Sequence, residues 1–145
     1  MSESIVRSLQ VFTSPQDEEQ LCELEHAIGA LDPSQCGEPE FRAMLAVFER
    51  FPNDDGFGVF WSIVHLLEAT SGYELALVKS VEQGPAEFNL LMVNRLLNAG
   101  VRTVAGKSLL ALLRSVAFNE AVDSVLRETA ARFIEHQREA GDAEA

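Results

Sequence analysis

The feature that most constrains this chain is the spacing of its apolar residues. They recur every three to four positions over nearly the whole length, while glycine and proline fall between the periodic stretches. Such spacing places one apolar stripe along each helix, and a chain made of these stretches buries its stripes by packing helix on helix. Ser14 ahead of Pro15, with Asp17, Glu18 and Glu19 behind it, predicts a helix start; Leu21, Leu24, Ile28 and Leu31 give its stripe to about residue 30. Pro39 between Glu38 and Glu40 opens a second helix with Phe41, Leu45 and Phe48 on one face, ended by Phe51 and Pro52. Asp54 or Asp55 caps a third helix running to about Thr70, and Ser71 and Gly72 open a short fourth through Tyr73, Leu75 and Val78. Gly84 and Pro85 precede a helix over 86–99 closed by Gly100, and two amphipathic helices over 107–118 and 120–139 follow. No β structure is expected. Residues 1–139 read as a single all-helical domain and residues 140–145 as a frayed acidic tail.

Helical hairpins that open near Pro39, Gly72 and Gly106 are offset by 33 and 34 residues, within the range of helical repeat arrays. The fold class is therefore all-α: helical hairpins stacked as a short HEAT- or armadillo-like solenoid, or an irregular bundle of the same helices. With 145 residues and 47% hydrophobic content, the chain is long and apolar enough for one core.

Charge narrows the partners. Residues 1–87 hold 16 acids and 4 bases, residues 88–119 hold Arg95, Arg102, Lys107 and Arg114 with no acid, and residues 120–145 hold 7 acids and 3 bases, for a net charge of −12. So acidic a surface repels phosphate backbones and anionic lipid, so neither nucleic acid nor a membrane is an expected partner, whereas a basic protein is steered in. Solubility alone would also be served by this charge. The first residues carry no basic stretch followed by an apolar one, and no apolar run approaches the ~20 residues of a membrane span, so a cytoplasmic location is expected. Cys22 and Cys36 lack metal-site spacing and read as small apolar residues; neither metal nor cofactor is expected.

Catalytic signatures are missing. The DDGFGV stretch lacks the lysine of a phosphate loop, and Gly106-Lys107-Ser108 lacks the earlier glycine, position 101 being Val101. No GxSxG, HExxH or Cys–His pattern occurs, so a non-enzymatic role is expected. The helix around residues 57–68 is apolar on most sides, with Phe60 and Trp61 read as core and Ser62, His65 and Glu68 on one narrow stripe. His65 and Glu68 supply two groups where zinc takes three or four ligands, which favours a surface pair over a metal enzyme. In the helix over 87–99, Phe88, Leu90, Val93, Leu96 and Leu97 point inward, while Glu87, Asn94 and Asn98 line another side with Arg95 beside them. Second helices of stacked hairpins line a concave face, so Ser62, His65, Glu68, Asn94, Arg95 and Asn98 are expected to share one groove.

Two segments, FPNDDGFGVFWSIVH over residues 51–65 and EFNLLMVNRLLNAG over residues 87–100, resemble bacterial immunity proteins, the all-helical antidotes of contact-dependent inhibition and Rhs toxin systems. The resemblance covers roughly residues 50–100; nothing in residues 1–50 contributes to it. It implies stoichiometric binding of a cognate toxin protein, a nuclease being one possibility. On that expectation Asp54, Asp55, Glu68 and Glu74 meet a basic cleft in imitation of nucleic acid, and Phe57 or Tyr73 supplies the anchor that sets residence time. The alternative from a different class is a helical-repeat adaptor that binds a non-toxic protein through the same groove.

Overall fold

The computed structural model describes residues 2–144, with side chains from Glu3 to Ala140. Among the described residues the chain forms α1 (Ser2–Gln10), α2 (Glu18–Gly29), α3 (Glu38–Arg50), α4 (Val59–Ala69), α5 (Glu74–Gln83), α6 (Glu87–Asn98), α7 (Leu109–Ala117) and α8 (Ser124–Glu144). Single 3-10 turns at Pro33–Gln35 and Gly56–Gly58 lie ahead of α3 and α4. The fold is an all-α helical bundle. No helix among the described residues is long and apolar enough to cross a membrane. Residues 140–144 of the expected frayed acidic tail continue α8, and the side chains of residues 141–145 lie outside the described residues.

Local chemistry moves several boundaries from where periodicity put them. Asp17, not Ser14, caps α2: its carboxylate accepts the Glu19 and Gln20 N–H groups, while Gln20 Oε1 turns back to accept the N–H groups of Thr13 and Ser14. Residues 13–16 are thereby held as a turn. α8 begins at Ser124 and not at Glu120, because Asn119 Oδ1 accepts the Ala121 N–H and Asp123 Oδ1 the Val125 N–H, holding the preceding residues in turns. α1 was not foreseen; it docks through Leu9, and the Arg50 guanidinium donates to the carbonyls of Leu9 (2.8 Å) and Phe12 (3.1 Å) just beyond its end. The expectation of no β structure is corrected by a small hairpin, Thr103–Val104 paired antiparallel with Lys107–Ser108. Its two central residues, Ala105 and Gly106, have φ of 51° and 79°, the backbone of a tight two-residue turn.

Packing follows sequence order in two layers. α1, α3, α5 and α7 lie side by side, as do α2, α4, α6 and α8, and each helix of the first layer packs on its successor in the second. Between the layers runs a connected set of aromatic rings. Phe48 stacks on Phe88 with centroids 5.5 Å apart, Phe60 meets Phe48 at 5.6 Å and Phe88 at 5.8 Å, and Phe12 reaches Phe51 at 5.4 Å. Among the described residues every buried side-chain nitrogen and oxygen has a hydrogen-bond partner. Asn89, fully buried, accepts the Ala86 N–H and donates to Ser80 Oγ and the Gly84 carbonyl, which fixes the α5–α6 corner. Gln137 of α8 donates to Asn94 Oδ1 (2.7 Å) and Asn98 Oδ1 (2.8 Å), and Thr129 donates to Glu87, so α6 is pinned to α8 at both its ends.

Because Phe48 and Phe60 are wholly buried at the centre of this set, Phe60→Ala is expected to lower unfolding free energy by about 3–5 kcal/mol. Urea denaturation checks it, the midpoint falling with little change in slope.

Candidate functional site

The loop between α3 and α4 takes a form set by its residues. Asp54 Oδ1 accepts the Gly56 N–H at 2.8 Å and Asp55 Oδ1 the Phe57 N–H at 3.0 Å, so consecutive aspartates brace the turn from outside. Gly56, Phe57 and Gly58 then follow with φ of 57°, 50° and 89°. Gly56 admits no side chain, since a Cβ there would lie 2.6 Å from the Phe60 ring. Phe57 has no such excuse: left-handed backbone costs a residue with a Cβ about 1–2 kcal/mol. Its ring gains no burial in exchange and stands 74% exposed. Below it a shallow depression of about 430 Å³ is lined by Asn53, Asp54, Asp55, Glu87 and Phe88.

α4 continues this surface. Trp61, expected in the core, is 38% exposed; it rests edge-on against Phe88 at 5.5 Å and lies 5.9 Å from the exposed His65 ring. The reason for the difference is periodicity: α4 buries Phe60, Ile63, Val64 and Leu67, and position 61 falls on the opposite side, as does 65. Arg95 of α6 sits over the Trp61 ring at 5.8 Å and grips Glu68 through two bonds of 2.7 and 2.8 Å. The Glu68 hydrogen bonds raise the Arg95 pKa further above its already high ordinary value. Both carboxylate oxygens of Glu68 are committed to that fork. Among the described residues no group of three or more His, Cys, Asp or Glu side chains is placed to hold a metal ion.

The other sequence-selected residues separate. Ser62 is half-buried and donates to Glu25 at 3.5 Å, bringing in an acid that sequence reading passed over. Asn94 is buried and, with Asn98, is taken up by Gln137, so these asparagines face α8 and the expected common groove with Ser62 and His65 does not form. Tyr73 is buried inside the chain and is thereby unavailable as an anchor, and Glu74 lies half-buried in the first turn of α5. Cys22, read as a small apolar residue, is exposed, and Cys36 is half-buried, with burial and then the Glu40 and Asp32 charges pushing its thiol pKa up. What comes together is Asp54, Asp55 and Phe57 on the loop, joined through Phe88 to Trp61, His65, Arg95 and Glu68. This is an exposed aromatic surface with carboxylates at its rim. No known protein family, curated protein or solved structure matches the chain.

Tyr73 reports on this surface from beneath. Burial first, then the charges of Glu74 and Glu68, push its hydroxyl pKa up to about 12, against an opposing pull from Arg95. It is the chain's one tyrosine, so its ionisation is read directly by ultraviolet absorbance. A midpoint near 12 is expected, falling in Glu68→Gln, which removes a raising charge and frees Arg95. The folded-state value lies above the unfolded one. This contribution to stability is therefore complete below about pH 10 and is lost as pH rises through 12.

Proposed function

We propose that this chain is an immunity-type inhibitor that binds a bacterial toxin domain and neutralises it by covering a basic site. The observation that carries the reading is Phe57: a large apolar side chain, held in left-handed backbone, aimed at solvent and ringed by aspartates. Strained residues persist where the surrounding structure over-determines them, and they concentrate at functional sites. Inside a partner's apolar pocket the ring gains the burial it lacks in the monomer, about 2 kcal/mol or more, the weight of an interface hot spot. The −12 charge supports the same reading, since it accelerates encounter with a basic surface and disfavours nucleic acid. So does location: residues 51–65 and 87–100, which carry the resemblance to immunity proteins, build the loop, α4 and α6 of this face. An antidote of this kind works in the cytoplasm, where its toxin would act.

The direct test pairs the chain with the toxin domain encoded beside its gene. Equimolar addition is expected to abolish the toxin's activity; full activity in the presence of equimolar chain overturns the proposal, and is the outcome expected of an adaptor for a non-toxic protein. Two variants separate anchor from field. Phe57→Gly relieves the left-handed strain, so its melting temperature is expected to hold or rise, while the complex dissociates about 30-fold faster. Asp54→Asn with Asp55→Asn keeps the oxygens that accept the turn's N–H groups but removes two charges. Association is expected to slow and to depend less on salt, with dissociation nearly unchanged.

A further inference from the structure

Six of the eleven cationic side chains of this acidic chain have partners among the described residues. Arg50 donates to the Leu9 and Phe12 carbonyls, Arg95 pairs with Glu68, Lys107 with Glu82 and Arg138 with Glu135, while Arg127 and Arg132 bond to Val122 and Thr129. Arg7, Arg42, Lys79, Arg102 and Arg114 have no such partner among the described residues, and of these Arg42 on α3 and Lys79 on α5 line one cleft of about 400 Å³ between α1, α3 and α5. This is the first layer of the bundle, whereas Phe57 and Trp61 belong to the second-layer face. The two stand unpaired in a stretch, residues 1–87, where acids outnumber bases 16 to 4. Both border the same cleft without an ion-pair partner, alongside the single carboxylate of Glu49, so together they favour an anion there.

The rest of the cleft says which anion. Val6, Ala43, Ala46 and Ala76 give it apolar walls, and its volume falls in the range of small-molecule sites, about 300–1,000 Å³. α3 and α5 run in the same direction. Glu49 bonds Ser80 at one end, where Ser80 Oγ also accepts from the buried Asn89, and Glu38 lies with Gly72 and Leu75 at the other, in an adjoining cleft of about 230 Å³ that shares Ala76 and Lys79. Glu49 comes seven residues after Arg42, about 10 Å along the helix. A carboxylate therefore stands on either side of the cation pair. Extended polyanions are repelled at both ends, and inorganic phosphate has no apolar part to set against the alanine walls. A compact carboxylate head with a short apolar body suits the space.

We propose that this cleft is a binding site for a small organic carboxylate, its head between Arg42 and Lys79 and its body against Ala43, Ala46 and Ala76. The inference is independent of the toxin-binding face. The test is amide chemical-shift mapping of the 15N-labelled full chain with sodium hexanoate, acetate, hexan-1-ol, hexylamine and inorganic phosphate, each at constant ionic strength. Hexanoate is expected to give saturable shifts confined to residues 42–49 and 76–83. Acetate should bind more weakly for lack of a body, and the alcohol, the amine and phosphate should not saturate. Arg42→Gln and Lys79→Gln are each expected to weaken hexanoate roughly tenfold, the weight of one charge-assisted hydrogen bond, while Arg102→Gln and Arg114→Gln leave it unchanged. Absence of saturable hexanoate shifts in the unmodified chain overturns the proposal. So does an equal response to hexylamine or phosphate, or full hexanoate affinity in a folded Arg42→Gln, Lys79→Gln double variant.

Discussion

The contact between Gly56 and the Phe60 ring joins the core of this protein to its exposed face. Phe60 is wholly buried and touches Phe48 and Phe88, so its position is dictated by the close packing of three helices. The backbone at position 56 runs so near that ring that even a methyl group would collide with it. With the turn pressed in at Gly56 and braced by Asp54 and Asp55, the next residue is thrown outward in left-handed backbone. Phe57 is exposed as a consequence of how tightly Phe60 is held. The ring that leaves the core and the ring that fills it are three residues apart, and each position presupposes the other.

A second constraint keeps α6 in register with the same face. Phe88 reaches inward to Phe48 and Phe60 and outward to Trp61, while Arg95, two turns further on, reaches Trp61 and Glu68. The opposite flank of α6 is tied to α8 through Asn94, Asn98 and Gln137, and through Glu87 and Thr129. A side chain anchored in a helix that is pinned on both flanks loses little further entropy on binding, which favours rigid presentation of a surface. Arg95 also leaves one cation in the middle of an acidic face, where its charge is answered by Glu68 and its plane by the indole. The field projected outward is therefore that of the rim carboxylates and not of the centre.

Much of the fold was legible because helix periodicity and caps are local. The stripes of Leu21, Leu24, Ile28 and of Phe41, Leu45, Phe48 are buried as their spacing requires, and Pro39 stands in the first turn of α3. The offsets near 33 residues fall close to the starts of α3, α5 and α7, alternate helices that lie side by side. Some failures were local, as at the α2 cap, the start of α8 and the small hairpin, and others depended on a neighbour distant in sequence. α1 is held by Arg50, more than forty positions on, and lacks a start signal of its own. Asn94 reads as a surface residue until Gln137 arrives from α8, and Trp61 reads as core until the neighbouring positions have filled the interior. The Phe57 turn lies between these cases. Aspartates followed by alternating glycines announce left-handed backbone, but that the phenylalanine would share it is set by the collision at Phe60, which no local pattern contains.

Asp54 and Asp55 serve two purposes, and the two reinforce each other. As acceptors of backbone N–H groups they fix the turn that holds Phe57 out, and as carboxylates they surround it with negative charge. On the proposed reading, a basic partner drawn in by that charge would arrive at the ring the turn presents, and encounter and anchoring would be properties of a single five-residue segment. The division of labour follows from distance. Coulombic attraction acts over about 8–10 Å in physiological salt and governs approach, whereas burial of a ring acts only on contact and governs departure. A loop that combines both would, on the proposed reading, bind quickly and release slowly, as stoichiometric neutralisation of a toxin requires.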